Sequence, residues 1–132
     1  GQGAFLNGRR LRVSVRRDFS EALFSTGIPF MGQDGHELFV EQLKRVMGVS
    51  AGVRRFGSAA LDLAYVAAGR YDGFWEQGLN SWDVAAGIVL VREAGGMVTD
   101  FSNRNQKLLD KGEILATNSE LHNQLRKLVK GT

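Results

Sequence analysis

Trp82-Asp83-Val84-Ala85-Ala86-Gly87-Ile88-Val89-Leu90-Val91-Arg92-Glu93-Ala94-Gly95-Gly96 is the stretch on which the reading of this chain turns. Ser81 stands before it as an N-cap, its hydroxyl able to accept a bond from a free N–H of a first helical turn. Asp83 follows where the helix dipole favours an anion. Val84, Ile88 and Val91 recur at helical spacing with Ala85 beside them. Ala86 and Gly87 permit close approach of another backbone, and Gly95 suits the left-handed position just past a helix end. The run therefore reads as a small-faced helix with a carboxylate in its first turn. Taken alone, that carboxylate either complements the dipole or meets a metal or polar ligand from a fixed element.

The 132 residues suit one domain, and a 43% hydrophobic fraction with a single Pro speaks for a folded chain. The absence of Cys excludes a disulfide framework and any thiolate metal site, and it fits a reducing, cytoplasmic setting. No apolar run approaches the roughly 18 residues needed to span a bilayer, and no secretory signal is visible. The net charge of +3 is unevenly placed, with Arg9, Arg10, Arg12, Arg16 and Arg17 crowding the start against Asp18. On a strand, Arg10, Arg12, Ser14 and Arg16 share one face and Leu11, Val13 and Val15 the other, a solvated face over a core face. A nucleic-acid patch is the sharper alternative, but no aromatic residue interleaves the arginines to stack on bases.

Asn7-Gly8, between Phe5-Leu6 and Leu11-Arg12-Val13, is a two-residue hairpin signal. Residues 21–25 read as a buried strand and 27–35 as a loop. Asp34 with Glu37 forms a capping-box start for a helix whose stripe is Leu38, Phe39, Leu43, Val46 and Met47. Residues 53–56 form a short strand. A helix over 58–69 presents Ala60, Leu63, Ala64 and Ala67 on one face. Residues 73–75, 97–101 and 114–116 are further strands, with a turn at 102–105. Thr117 with Glu120 is a capping box for a last helix striped by Leu121, Leu125, Leu128 and Val129. Strands alternating with helices predict an α/β fold, a mixed sheet flanked by helices, with the leading hairpin supplying the antiparallel part.

Three spaced motifs now carry a resemblance. Gly1-Gln2-Gly3-Ala4-Phe5-Leu6-Asn7-Gly8, the run from Arg55-Phe56-Gly57-Ser58-Ala59 through Gly69-Arg70, and Asp72-Gly73-Phe74-Trp75-Glu76 followed by the Trp82 signature resemble, in that order, the C-terminal part of the inositol monophosphatase family. These are Mg2+-dependent, lithium-sensitive sugar phosphatases that share a fold with fructose bisphosphatase-like enzymes. The family's first signature, Asp-Pro-x-Asp-Gly-Thr, and its upstream Glu-Glu pair have no counterpart. The aspartates are Asp18, Asp34, Asp62, Asp72, Asp83, Asp100 and Asp110, and none precedes a proline. The expectation is therefore that residues 1–132 are the C-terminal α/β domain of such a protein, without its N-terminal metal-binding half.

The resemblance implies roles for particular residues. Asp83 matches a Mg2+-ligating carboxylate that also faces substrate, and a hard oxygen ligand suits that ion. Glu76 matches the acceptor for a sugar hydroxyl. Gly57, Ser58 and Ala59 match the segment whose backbone meets the polyol, and they precede a helix whose free N–H groups favour an oxygen ligand. The implied reaction is hydrolysis of an inositol phosphate or related polyol phosphate, with fructose bisphosphate or a 3′-phosphonucleotide as alternative substrates. A homodimer is implied too, as is a possible link to the transcription machinery, since some bacterial members act in antitermination. His36 and His122 have no metal-ligand spacing and read as solvated positions. Asp62 reads as structural, a partner for Arg55 or Arg70. Trp75 and Trp82 read as packing residues around the cleft.

Overall fold

Asn7 and Gly8 both adopt positive φ, 52° and 77°, the twist that a two-residue hairpin requires. They join β1 (Phe5–Leu6) to β2 (Arg9–Arg10). One further rung forms where the Leu11 N–H donates to the Ala4 carbonyl at 2.7 Å. The structure, a computed structural model, describes residues 3–27, 36–79, 81–105, 108 and 112–131, and for residues 81–83 the backbone only. Asp34 and its expected capping box lie outside the described residues.

The main sheet contains β3 (Leu23–Thr26), β4 (Gly52–Arg54), β5 (Gly73–Glu76), β6 (Met97–Thr99) and β7 (Ile114–Thr117), in the order β4-β3-β5-β7-β6. β3 runs parallel to both β4 and β5, while β7 is antiparallel to β5 and β6. The sheet is mixed, as expected, but for a different reason: the hairpin forms a sheet of its own, and the reversal comes from β7. Beyond the hairpin the chain stays extended without joining a ladder. Leu11 and Val13 pack on the core, yet Val15 is 87% exposed, so the predicted core face stops at Val13. Ser14 turns its hydroxyl onto the Asp72 carboxylate, and Arg16 pairs with the same group.

Helices α1 (His36–Met47), α2 (Ala59–Ala67), α3 (Ser81–Glu93) and α4 (His122–Lys130) cover the sheet. α2 and α3 pack together over Phe74, Ile114 and Ala116, burying Leu63, Val66, Val84, Ile88 and Val91. α1 and α4 pack together on a second core built on Phe24, Trp75 and Leu115. The α1 stripe differs from the sequence reading: Phe39, Gln42 and Val46 are buried, whereas Leu38 and Met47 are exposed. The helix is turned so that Gln42 Oε1 can accept from the buried Trp75 indole N–H at 3.2 Å. In α2 the buried face is Leu63, Val66 and Ala67, and Ala60 is exposed. Gly95 has the left-handed φ of 92° expected after α3.

The last helix also starts differently. Asn118 Oδ1, not Thr117, accepts from the Leu121 N–H at 3.0 Å. Thr117 is instead occupied by His122, whose Nδ1 lies 2.7 Å from the Thr117 hydroxyl and whose Nε2 lies 2.8 Å from that of Thr99. His122 is 1% exposed, which corrects the solvated reading. Burial, with a smaller contribution from Arg126, pushes its pKa down to about 4.

Folded His122 thus holds its proton more weakly than the unfolded chain does. Its contribution to stability is complete above the unfolded value of about 6.5 and is lost as pH falls toward 4, by about 3 kcal/mol in all. The advantage of the native chain over a His122→Gln variant should shrink across that window, measured as the difference in urea midpoints at successive pH values. A second prediction concerns α2 against α3. A Cβ at Gly87 would lie 2.7 Å from Leu63 Cβ and 2.6 Å from its Cδ1. Gly87→Ala should therefore destabilise the chain by about 1–2 kcal/mol in thermal unfolding, despite the gain in helix propensity.

Candidate active site

Parallel strands deliver their C-terminal ends to one edge of a sheet, and here three do so. β4 runs into residues 55–58 and then α2, and β5 runs into residues 77–80 and then α3. The helix after β3 lies on one face of the sheet and the helix after β5 on the other. Neighbouring strands whose helices leave in opposite directions open a crevice at their carboxyl ends, the usual ligand position in such sheets.

Glu76 ends β5 at that crevice and is half-buried. Beside it, Gly27 follows β3, and a Cβ there would sit 1.9 Å from Glu76 Oε1. The Glu76 side chain therefore lies across the Gly27 backbone, which only glycine permits. Sequence reading treated Gly27 merely as the start of a loop; its signal was a glycine directly after a strand of small polar residues, Ser25-Thr26. The Thr26 hydroxyl donates to the Trp75 carbonyl at 2.8 Å and ties the two strand ends together. Trp75 is buried packing, as expected.

Gly57, Ser58 and Ala59 lead into α2 at the same edge. Gly57 has a φ of 84°, a turn that favours glycine. Ser58 is the N-cap, its Oγ accepting from the Leu61 N–H at 3.3 Å. The N–H groups of Ala59 and Ala60 precede the first intrahelical bonds and can meet an oxygen ligand. Asp83 sits in the first turn of α3, which begins five residues beyond Glu76; its side chain, like those of Ser81 and Trp82, lies outside what is described. The backbone thus brings Glu76, residues 57–59 and the start of α3 to one sheet edge.

The other polar residues fall elsewhere. Among the described residues, Asp62 pairs with neither Arg55 nor Arg70; it is buried, and neither carboxylate oxygen has a hydrogen-bond partner. Arg70 instead stacks over the Tyr65 ring at 5.5 Å. His36 is exposed on α1. A groove lined by Arg12, Ser14, Arg17, Ala94 and Glu120 lies toward the opposite edge, where β7 ends, and is no part of this site.

Comparison with known proteins decides the family. The inositol monophosphatase family model matches residues 1–131. This chain belongs to the inositol monophosphatase family. It is 51% identical over 126 residues to an inositol-1-monophosphatase of Caulobacter vibrioides, covering 95% of this chain and 49% of that protein. It is 52% identical over 122 residues to the Nus factor SuhB of Pseudomonas aeruginosa, covering 91% of this chain and 45% of that one. The crystal structure of the extragenic suppressor protein suhB from Bartonella henselae superposes with a TM-score of 0.93 at 50% identity, over 98% of this chain and 50% of that chain. The chain spans about half the length of these family relatives.

The family's metal can be tested against the residues present. Among the described residues no group of three or more His, Cys, Asp or Glu is placed to hold an ion. Mg2+ demands a near-octahedral oxygen shell, so a carboxylate on α3 fits as one member of a set and not as a site by itself. Gly27 offers a sharper test of the geometry. Gly27→Ala should cost little stability, because the atom displaced is the end of a flexible side chain. It should move the Glu76 carboxylate away from the crevice. The NMR shifts of the Glu76 side chain and of the neighbouring strand-end amides should change while the Tm stays within a few degrees of the native value.

Proposed function

We propose that the intact protein is a Mg2+-dependent phosphomonoesterase acting on an inositol phosphate or related polyol phosphate, and that this chain is its C-terminal half. What supports the reading is that parallel β4 and β5 carry residues 57–59, Glu76 and the backbone start of α3 to the same edge of the sheet. In this reading Glu76 accepts a hydrogen bond from a polyol hydroxyl. The Ala59 and Ala60 N–H groups and the Ser58 hydroxyl bind further oxygens of the ring. The positive end of α3 favours the phosphate, and Asp83 contributes one metal ligand beside it. Bound Mg2+ would supply charge stabilisation and an activated water. This chain's own part is to orient the polyol and hold the ester against the metal.

Lithium sensitivity, a homodimer and a cytoplasmic location go with the same reading. No helix among the described residues is long and apolar enough to cross a membrane. A second reading has its own support in the 52% identity to a Nus factor: a role in transcription antitermination that needs no hydrolysis. Fructose bisphosphate and 3′-phosphonucleotides remain the alternative substrates.

Phosphate release from inositol phosphate by the purified longer protein, with and without Mg2+, separates these readings. Metal-dependent release is expected, and it should be lost in Glu76→Ala at substrate concentrations that saturate the native protein only. No release, together with retention by RNA polymerase on a column, would favour the antitermination reading. The 132-residue chain assayed alone should release no phosphate above background, because a single carboxylate cannot assemble the metal shell.

A further inference from the structure

Helices α2 and α3 are apolar on both sides. Inward, they bury Leu63, Val66, Val84, Ile88 and Val91 against the sheet. Outward, α2 exposes Ala60 and Leu61, and α3 exposes Ala85, Ala86 and Val89, the valine by 58%. The one charged residue of α2, Asp62, is buried, and α3 has no charged residue from Val84 to Val91. The helices on the other side of the sheet are finished differently. α1 exposes Glu37, Glu41 and Lys44, and the exposed residues of α4 are Asn123, Gln124, Lys127 and Lys130. A helix that meets water keeps a polar stripe, whereas one that is apolar all round is covered on both sides.

The hairpin points to the same face. β1 and β2 pair with each other alone among the described residues, which leaves the outer edge of the ribbon open. Phe5 and Leu6 are 55% and 59% exposed. A lone two-stranded ribbon is marginal in water, and an open edge is a template for further strands. Phe5, Leu6, Ala64, Tyr65, Ala68 and Leu90 line one groove of about 510 Å³ between the hairpin and the helices. Leu61 stands one turn before Tyr65, and Ala86 one turn before Leu90, so apolar surface continues from the groove along both helices. Charge is kept to the rim of the groove, on Arg9, Arg12 and Arg70. An apolar centre within a polar rim is the anatomy of an interface.

We infer that the outward face of α2 and α3, together with the hairpin, docks a second β-sheet carried by the rest of the polypeptide, so that the two helices form a middle layer between two sheets. The added strands continue the β1–β2 ribbon and lay their apolar face on Leu61, Val89 and Leu90. Ala60, Ala85 and Ala86 let that sheet come close. The occupant follows from length: the same fold sits in chains about twice as long, filling 50% of the Bartonella henselae suhB chain and 49% of the Caulobacter vibrioides protein. The inference rests on the reading of this chain as half of a longer protein, and it needs neither substrate nor metal.

The chain has no Cys, so introduced thiols report on single positions. Val89→Cys and Leu61→Cys probe the face, and Asn123→Cys on α4 serves as the exposed control. Reaction with a soluble disulfide reagent is followed in the 132-residue chain and in the longer protein, any cysteine of the other half being replaced by serine. In the longer protein the thiols at 61 and 89 should react roughly a hundredfold more slowly than the one at 123, the mark of positions reached only through local opening. In the 132-residue chain at low concentration all three should react at similar rates. Amide exchange needs no substitution: the N–H groups of residues 5–10 that the ribbon leaves unbonded should exchange slowly in the longer protein and fast in the shorter. Reaction at 61 and 89 as fast as at 123 in the longer protein would overturn the inference. So would protection there that is lost on dilution, which assigns the face to a second copy, or protection that appears only on adding single-stranded RNA, which assigns it to nucleic acid. Because the thiol rates are read without inositol phosphate or Mg2+, failure of the phosphatase reading leaves this test standing.

Discussion

The side-by-side pairing of β3 with β5 is the constraint from which the rest of the molecule follows. Phe24 stands opposite Gly73, Ser25 opposite Phe74 and Thr26 opposite Trp75. The fit is tight: a Cβ at Gly73 would come within 2.9 Å of the Phe24 ring and 2.8 Å of Thr117 Cγ2. Strand alternation sends Phe24 and Trp75 into the core under α1 and α4, and Leu23 and Phe74 into the core under α2 and α3. One strand pair thus builds both hydrophobic cores. It also sets Gly27 and Glu76 side by side at the strand-end edge, where the helices that follow these strands leave on opposite faces.

The kinds of element were legible in the sequence, because apolar spacing and caps are local. The α3 helix was legible from its spacing, with Val84, Ile88 and Val91 inward and Gly95 beyond its end, whereas Ala85 and Ala86 are exposed and Ser81, read as the N-cap, is already helical. What escaped was set by partners distant in sequence. Gln42 is buried because an indole N–H on β5 needs an acceptor. His122 is buried because Thr99 and Thr117, on adjacent antiparallel strands, offer one hydroxyl to each ring nitrogen. No periodicity along α1 or α4 encodes either demand. The candidate site divides the same way: Glu76 and residues 57–59 came from motifs, whereas the dependence of Glu76 on Gly27 is visible only once β3 and β5 are adjacent.

The buried polar residues show how differently the two edges of the sheet are finished. At the edge away from the crevice, Asp72 accepts from the Leu23 N–H at 2.8 Å and from the Ser14 hydroxyl, and pairs with Arg16 at 3.3 Å. Asn118 completes the arrangement by donating from its side chain to Ser14 Oγ and the Arg16 carbonyl. Removing one partner there would strand a buried charge, which is why such a network holds the extended segment after the hairpin rigidly against the sheet. Toward the crevice, Asp62 and Ser25 sit beneath the α2 turn with their bonding capacity unspent. Ser50 Oγ, before β4, and Arg126 Nε, on α4, are likewise buried without a partner, so open polar groups are not confined to the crevice edge.

The make-up of the crevice edge bears on how the work of the proposed enzyme is divided. Recognition of a polyol needs donors and acceptors at fixed separations, and groups at strand and helix ends provide this better than groups on long loops. The crevice edge supplies such groups: a strand-end carboxylate pressed onto a glycine, a capped helix N-terminus, and the start of a second helix. Metal chemistry needs something else, several carboxylate oxygens closing on one ion, and the described residues offer no such cluster. Under the proposed reading, this chain orients the polyol, and the metal shell draws also on residues outside its span, which is about half the length of its relatives. Substrate preference within the family would then be governed chiefly by this half, through the separation between Glu76 and the α2 turn, and metal dependence chiefly by the other.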